Sequence, residues 1–314
     1  MKKELLTRFM EKRIVELKKE QRNGTAHVYQ STLNRLKKFM NGREITFSQL
    51  TPEWLALFEQ KLLADQLKWN TISTYMRMLR SVYNQALERG VATYVPRLFN
   101  KVHTGIDYPV KRAVSPEVIC KLMTDQKPLP EKLAFSRDLF VLLFLLRGMP
   151  FVDLAFLRRC DLQGNVITYH RRKTSRKLTV VVGKEAMEII RRYMYAIPDS
   201  PYLFPIIQNP GENEYGQYTR MLRLLNHRLT QVANTLGIRE RLSTYVARHT
   251  WATTALRQNY NSSLICNAMG HSSVKVTETY FQPYRDDEVN RMNRSLITYI
   301  LSKKKRGIDK NIRS

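Results

Sequence analysis

The chain has 314 residues, is 43% hydrophobic and holds only 12 Gly and 12 Pro, which suits one large domain or two and argues against disorder and against a turn-rich sandwich. Its 53 Lys and Arg stand against 27 Asp and Glu, a net charge of +26 spread over both halves: 19 against 10 up to Asp107, 34 against 17 beyond it. Such a charge is best tolerated beside a polyanion, so nucleic acid is the expected partner and a membrane surface is not. The cysteines, Cys120, Cys160 and Cys266, are scattered, with no Cys-x-x-Cys pair, so neither zinc nor a disulfide framework is indicated and a reducing cytoplasm fits. The most apolar run, from Leu139, is broken by Arg147, Pro150 and Asp153 and is too short to span a bilayer.

The first third reads as helix. The opening "KKELLTRFMEKRIVELKKEQ" is charged and helical in pattern. In "RNGTAHVYQSTLNRLKKFMNG" Thr25 is the expected N-cap and Gly42 the stop. "TPEWLALFEQKLLADQ" offers Thr51 as N-cap, Pro52 at the first helical position and Glu53 in the first turn. "NTISTYMRMLRSVYNQALERG" predicts a helix from Asn70, with Ile72, Met76, Leu79, Val82, Tyr83 and Ala86 on one face and Arg77, Arg80 and Arg89 on others. Residues 1–107 are thus expected to form a helical bundle with a basic exterior. Periodicity lapses over "NKVHTGIDYPVKRAV", and a linker is placed at 108–115.

Residues 116–314 are expected to form a second domain, mainly α with a small antiparallel sheet. "SPEVICKLM" restarts a helix at Ser115 and Pro116, and helices are predicted over about Glu131–Arg147 and Val152–Arg158. "GNVITYHRR" and "KLTVVVG" then alternate or run β-branched around "KTSR", the pattern of a hairpin. Helices resume in "KEAMEIIRRYMYAI", "EYGQYTRMLRLLNHRLTQVANTLG", "STYVARHTWATTALRQN", "SSLICNAMG", "VKVTETYFQ" and "RDDEVNRMNRSLITYILSKKK".

Three short stretches carry charge where it can do chemistry. Lys173 falls at the hairpin tip, Arg248 and His249 lie inside "ARHTWAT", and "MGHSSVKVTETY" puts His271 in a turn nine residues before Tyr280. Taken singly, each has an ordinary reading: a solvated turn lysine, a basic helix face, a turn histidine, a core tyrosine. In this order and spacing they resemble the tyrosine recombinase, or phage integrase, family over nearly the whole chain. The first domain is similar to that family's SAM-like core-binding domain and the second to its catalytic domain. "RGMPFVDLAFLRRCDL" is similar in wording to integrases and DNA invertases of mobile elements.

The resemblance implies site-specific cutting and rejoining of DNA through a 3′-phosphotyrosine, without cofactor or metal. The outcome would be integration, excision or inversion. Tyr280 would be the nucleophile, Arg248 the second arginine on the scissile phosphate, His271 a hydrogen-bonding partner of that phosphate, and Lys173 the acid that protonates the leaving 5′-oxygen. It further implies recombination sites in double-stranded DNA as substrate, a dimer on each site, a homotetramer on the synapsed pair, an accessory DNA-bending protein, and a place in the cytoplasm at the nucleoid. The apolar stripe Val289, Met292, Leu296, Ile297 and Ile300 would dock on a neighbouring protomer or on its own core.

Two departures qualify the match. Tyr245 stands where the family has a histidine three residues before the second arginine; a phenol is a poor base near neutral pH, so His271 becomes the better candidate to take the proton of Tyr280. Pro150 stands where "GMPFVDL" should hold the first arginine, with Asp153 in the acidic position. Arg147, three residues earlier, is the expected substitute. Arg171 and Arg172 are the rivals, and an arginine snorkelling at a helix C-terminus is the plain alternative. An inactive, recombinase-derived DNA-binding protein and a topoisomerase-like relaxing enzyme are the competing functions.

Overall fold

Residues 4–105, 113–279 and 290–299 are described in the computed structural model, and the chain divides into two units, Met1–Val110 and Lys111–Ser314. The described part of the first unit builds four helices: α1 (Leu6–Lys19), α2 (Asn23–Phe39), α3 (Pro52–Ala64) and α4 (Trp69–Glu88). Helix α4 packs against the other three, and Leu33, Leu36, Leu55, Phe58, Met76 and Leu79 meet in a core of their own. Thr51 caps α3 as expected: its hydroxyl accepts from the Trp54 amide at 3.2 Å, and Pro52 takes the position whose N–H would have no partner. Thr25 is not the cap of α2. That helix starts at Asn23, after Arg22, with no side-chain cap, because packing of Ala26, Tyr29 and Leu33 carries it two residues upstream of the best capping residue. Glu16 of α1 accepts from Arg13 and from Arg89 at the end of α4, tying the two helices together.

Residues 108–112 of the expected linker lie outside the described residues. The second unit continues with α5 (Pro116–Thr124), α6 (Glu131–Leu145), α7 (Phe151–Ala155), strands β1 (Leu162–Gln163), β2 (Val166–His170) and β3 (Lys177–Val181), then α8 (Lys184–Tyr193), α9 (Glu214–Thr235), α10 (Thr244–Arg257), α11 (Ser262–Met269) and α12 (Val274–Glu278). The second half of helix α6 is a continuous apolar run, buried from Leu139 to Leu143, and the helix is the central element: it packs against α5, α8, α9 and α10. Its one buried carboxylate, Asp138, accepts from Arg137, Arg192 and the Tyr193 hydroxyl, which holds α8 in place.

The expected hairpin is present, with Thr168 opposite Thr179 and His170 opposite Lys177, and β1 adds a third antiparallel strand. Two helices are shorter than their patterns predict. Helix α6 stops at Leu145 because Arg147 and Gly148 both take left-handed backbone, with φ of 60° and 65°. Helix α7 stops at Ala155, and the chain makes a 3-10 turn over Arg159–Asp161, where the Asp161 carboxylate accepts from the Arg158 amide. Residues 290–299 are helical and expose Met292, Leu296, Ile297 and Tyr299, whereas Val289 and Ile300 of the same stripe lie outside the described residues. No described helix is long and apolar enough to cross a membrane.

Candidate active site

Arg248 sits on the inward face of α10 and is only 2% exposed. A guanidinium so buried must have its donors matched, and the fold supplies three acceptors. Nη1 donates to the Gly148 carbonyl, while Nη2 donates to the Met269 carbonyl at 3.0 Å and meets Nε2 of His271 at 2.7 Å. His271, 6% exposed, stands just beyond the C-terminus of α11, with Nδ1 2.7 Å from Oγ1 of Thr277 on α12. Two of the residues singled out in the sequence, Arg248 and His271, are therefore in direct contact.

Two glycines make this contact possible. Gly270 ends α11 in the left-handed region at φ 62°, and a Cβ there would lie 2.6 Å from Cδ of Arg171 and 2.8 Å from Cδ1 of Leu178. Gly148 lies flat on α10, where a Cβ would come within 3.1 Å of the Arg248 Cα. Its neighbour Arg147 holds left-handed backbone without being glycine, a cost that surrounding structure must offset and that often marks a functional position. Arg147 reaches from this turn to donate to the Thr179 carbonyl at 3.2 Å.

A second arginine layer comes from the hairpin. Arg171 is buried; its Nε pairs with Asp153 at 3.4 Å, and its Nη1 donates to the Met269 and Gly270 carbonyls at 3.0 and 2.6 Å. Arg176 donates to the His271 carbonyl at 3.2 Å and to Asn267. Asp153 also accepts from the Arg172 amide at 3.0 Å; even so, burial outweighs these donors and raises its carboxyl above the usual range. The Tyr169 phenol of β2 is pushed up first by burial and then by Asp153, with Arg171, Arg248 and Arg147 acting in the opposite direction.

The remaining candidates fall elsewhere. Lys173 is exposed in the turn between β2 and β3, and Tyr245 is 57% exposed on α10 with its ring edge-on to His249 at 4.9 Å. Among the described residues neither joins the hydrogen-bonded cluster. Tyr280 lies outside the described residues, two positions past the end of α12. Of the two rivals to Arg147, Arg172 lies over the Phe156 ring, 3.9 Å from its centroid, and Arg171 is committed to Asp153 and two carbonyls. Arg176 and Thr277 escaped the sequence reading; the one signal for Thr277 was its place inside "VTETY". Among the described residues no group of three or more His, Cys, Asp or Glu is arranged to hold a metal ion.

A mainly helical unit with a small antiparallel sheet and a buried arginine–histidine pair follows a helical bundle, and comparison with known proteins meets both parts. Residues 5–102 match the phage integrase SAM-like domain, and residues 112–286 match the phage integrase family. The chain therefore belongs to the phage integrase family, that of the tyrosine recombinases. It is similar to the tyrosine recombinase XerC of Thermodesulfovibrio yellowstonii, with 22% identity over 277 residues, covering 83% of this chain and 87% of that one. Its fold resembles the Tn1549 transposon integrase in complex with transposon right end DNA, with TM-score 0.66 and 14% identity, covering 94% of this chain and 100% of that one. It also resembles a lambda integrase dimer bound to a COC' core site, with TM-score 0.62 and 12% identity, covering 90% and 81%.

Proposed function

We propose that this chain is a site-specific DNA recombinase that cuts and rejoins strands through a 3′-phosphotyrosine at Tyr280. The observation that carries the reading is the Arg248–His271 pair, buried, in contact and braced on the Gly148 and Met269 carbonyls, in a member of the tyrosine recombinase family. Transfer of a phosphodiester to a phenol builds negative charge on the non-bridging oxygens. A guanidinium stays ionised and offers a planar fork of donors, so Arg248 suits that charge without a metal. The solved relatives named with DNA support double-stranded DNA as the substrate.

Arg147 takes the place of the first arginine. It follows α6 directly and adjoins the glycine whose carbonyl holds Arg248. Lys173, at the hairpin tip, delivers a proton to the leaving 5′-oxygen, and exposed Tyr245 donates a hydrogen bond to the phosphate. The exposed apolar residues of helix 290–299 dock on a neighbouring protomer, within a dimer on each site and a tetramer on the synapsed pair, with an accessory DNA-bending protein where the site requires one. Integration, excision and inversion are all open to this chemistry.

The test is a panel of nicked, cleavage-trapping duplexes drawn from the DNA that flanks the coding region. The wild-type chain yields an adduct that survives SDS, and Tyr280→Phe yields none. DNA binding with no adduct on any duplex would overturn the reading in favour of an inactive, recombinase-derived DNA-binding protein. Pro150 and Tyr245 are the sequence features on that side.

A further inference from the structure

His271 meets one group that can only donate. A guanidinium has five N–H donors and no acceptor, so the Nε2 that lies 2.7 Å from Arg248 Nη2 presents its lone pair. The hydrogen of the neutral ring is then on Nδ1, which lies 2.7 Å from Oγ1 of Thr277. The Thr277 side chain is fully buried, so its hydroxyl oxygen is the acceptor that the Nδ1–H needs away from water.

We infer that Thr277 is a positioning residue that, together with Arg248, holds His271 in the Nδ1–H form by accepting from Nδ1–H, so that Nε2 remains an acceptor toward the arginine side of the site. Nothing else on α12 does this. The helix is one short turn, Val274–Glu278, and Thr277 is its buried member. By sequence Thr277 also stands three residues before Tyr280, so one short segment sets the imidazole and leads into the proposed nucleophile. The opposite tautomer would put an N–H against the guanidinium and leave a bare lone pair facing the threonine. That arrangement loses the Arg248 hydrogen bond in a buried place and reverses the Thr277 one, whose hydroxyl can donate as well as accept. The backbone of His271 is held separately, by Arg176 on its carbonyl and by its amide to Cys266, so loss of the hydroxyl need not dismantle the turn.

The role in strand cleavage rests on the function proposed above, whereas the hold on the ring does not. Both are read on the full chain. With six histidines, selective 15N labelling and long-range 1H–15N correlation at about pH 8, above the ordinary imidazole range, report each ring's tautomer. His271→Gln identifies the signal. The wild type and Thr277→Ser are expected to show Nδ1–H. Thr277→Val, close to isosteric, is expected to show Nε2–H or a mixture of the two.

On the same cleavage-trapping duplexes Thr277→Val is expected to slow adduct formation about 10- to 100-fold, the size typical of losing a partner that orients a working imidazole, with DNA binding retained. Thr277→Ser restores the rate. An unchanged Nδ1–H signal in Thr277→Val would overturn the inference, and so would a normal rate of adduct formation. A tautomer change in a chain that forms no adduct even as wild type would overturn the recombinase reading and leave Thr277's hold on the ring standing.

Discussion

Arg171 and Asp153 form a pair beneath the hairpin in which both partners are buried, 3.4 Å apart at Nε and Oδ2. The pair divides the arginines of the site by task. Arg171 is spent on Asp153 and on two carbonyls, whereas Arg147, one layer nearer Gly148, is half-buried and bonded to a single carbonyl on β3.

Arg147→Ala and Arg171→Ala are therefore expected to fail differently. The first lowers adduct formation by about 10²–10³-fold, equivalent to ~2.7–4 kcal/mol for one lost oxyanion donor, with thermal stability near wild type. The second leaves Asp153 buried without its ion partner and costs about 3–5 kcal/mol of stability. Cleavage assays beside thermal melts of both variants decide the matter. Near-normal cleavage by Arg147→Ala would end its candidacy and make a hairpin arginine the next suspect.

Arg248→Lys keeps the charge but loses the fork. A single ammonium cannot span the Gly148 carbonyl, the Met269 carbonyl and the His271 imidazole together. Adduct formation is expected to fall by about 10²-fold or more, while salt-sensitive DNA binding persists. Full activity in the lysine variant would show that charge alone is what the position supplies.

Gly148→Ala places a methyl group within 3.1 Å of the Arg248 backbone at a residue with φ of 65°. Strain of about 1–2 kcal/mol from the left-handed backbone is expected to appear as a lower melting temperature. The displaced carbonyl should appear as a slower cleavage rate. A variant that melts lower yet cleaves normally would separate the backbone requirement from the chemistry.

Acid stability has a definite sign in the first unit. Arg89, then Arg13, hold the Glu16 carboxyl down at about 2. A depressed carboxyl contributes stability that is fully present above the ordinary carboxylate range and is lost as pH falls toward 2. Glu16→Gln is thus expected to melt lower than wild type at neutral pH, with the gap closing as the pH approaches 2. An equal gap at both ends would mean that the ion pairs of Glu16 do not set its worth.

DNA binding should fall steeply with salt, because a chain of net charge +26 grips phosphates by releasing counterions. A titration of affinity against salt that came out flat would argue against a phosphate-based grip.

The fold was legible in the sequence because helical periodicity and one change of period are strong, local signals. Thr51, Pro52 and the "KTSR" turn announced their elements, and Arg248 and His271 could each be singled out before any geometry, though not their contact. What the sequence hid depends on contacts across the chain. Gly148 and Pro150 mark the end of α6 in the sequence, but the left-handed backbone at Arg147 that ends it earlier goes with Gly148 lying against α10, a tertiary demand. In the sequence Arg171 is only a rival for the first arginine's place, and Arg176 is one more charge on a basic hairpin. Their roles come from carbonyls 99 and 95 residues away at the end of α11. Thr25 has the chemistry of a cap but not the position, since burial of Ala26 and Tyr29 decided where α2 begins.

The short turn from Met269 to His271 accepts from Arg248 on one side and from Arg171 and Arg176 on the other. The hairpin that carries Lys173 and the turn that carries His271 are thereby laced together through backbone carbonyls. A hairpin that swings outward must first break those bonds, so the placing of Lys173, the proposed proton donor, and the bracing of the turn that carries His271 are coupled. Loosening the hairpin would then loosen the seat of His271 as well, so the two edges of the site would tighten together rather than one by one.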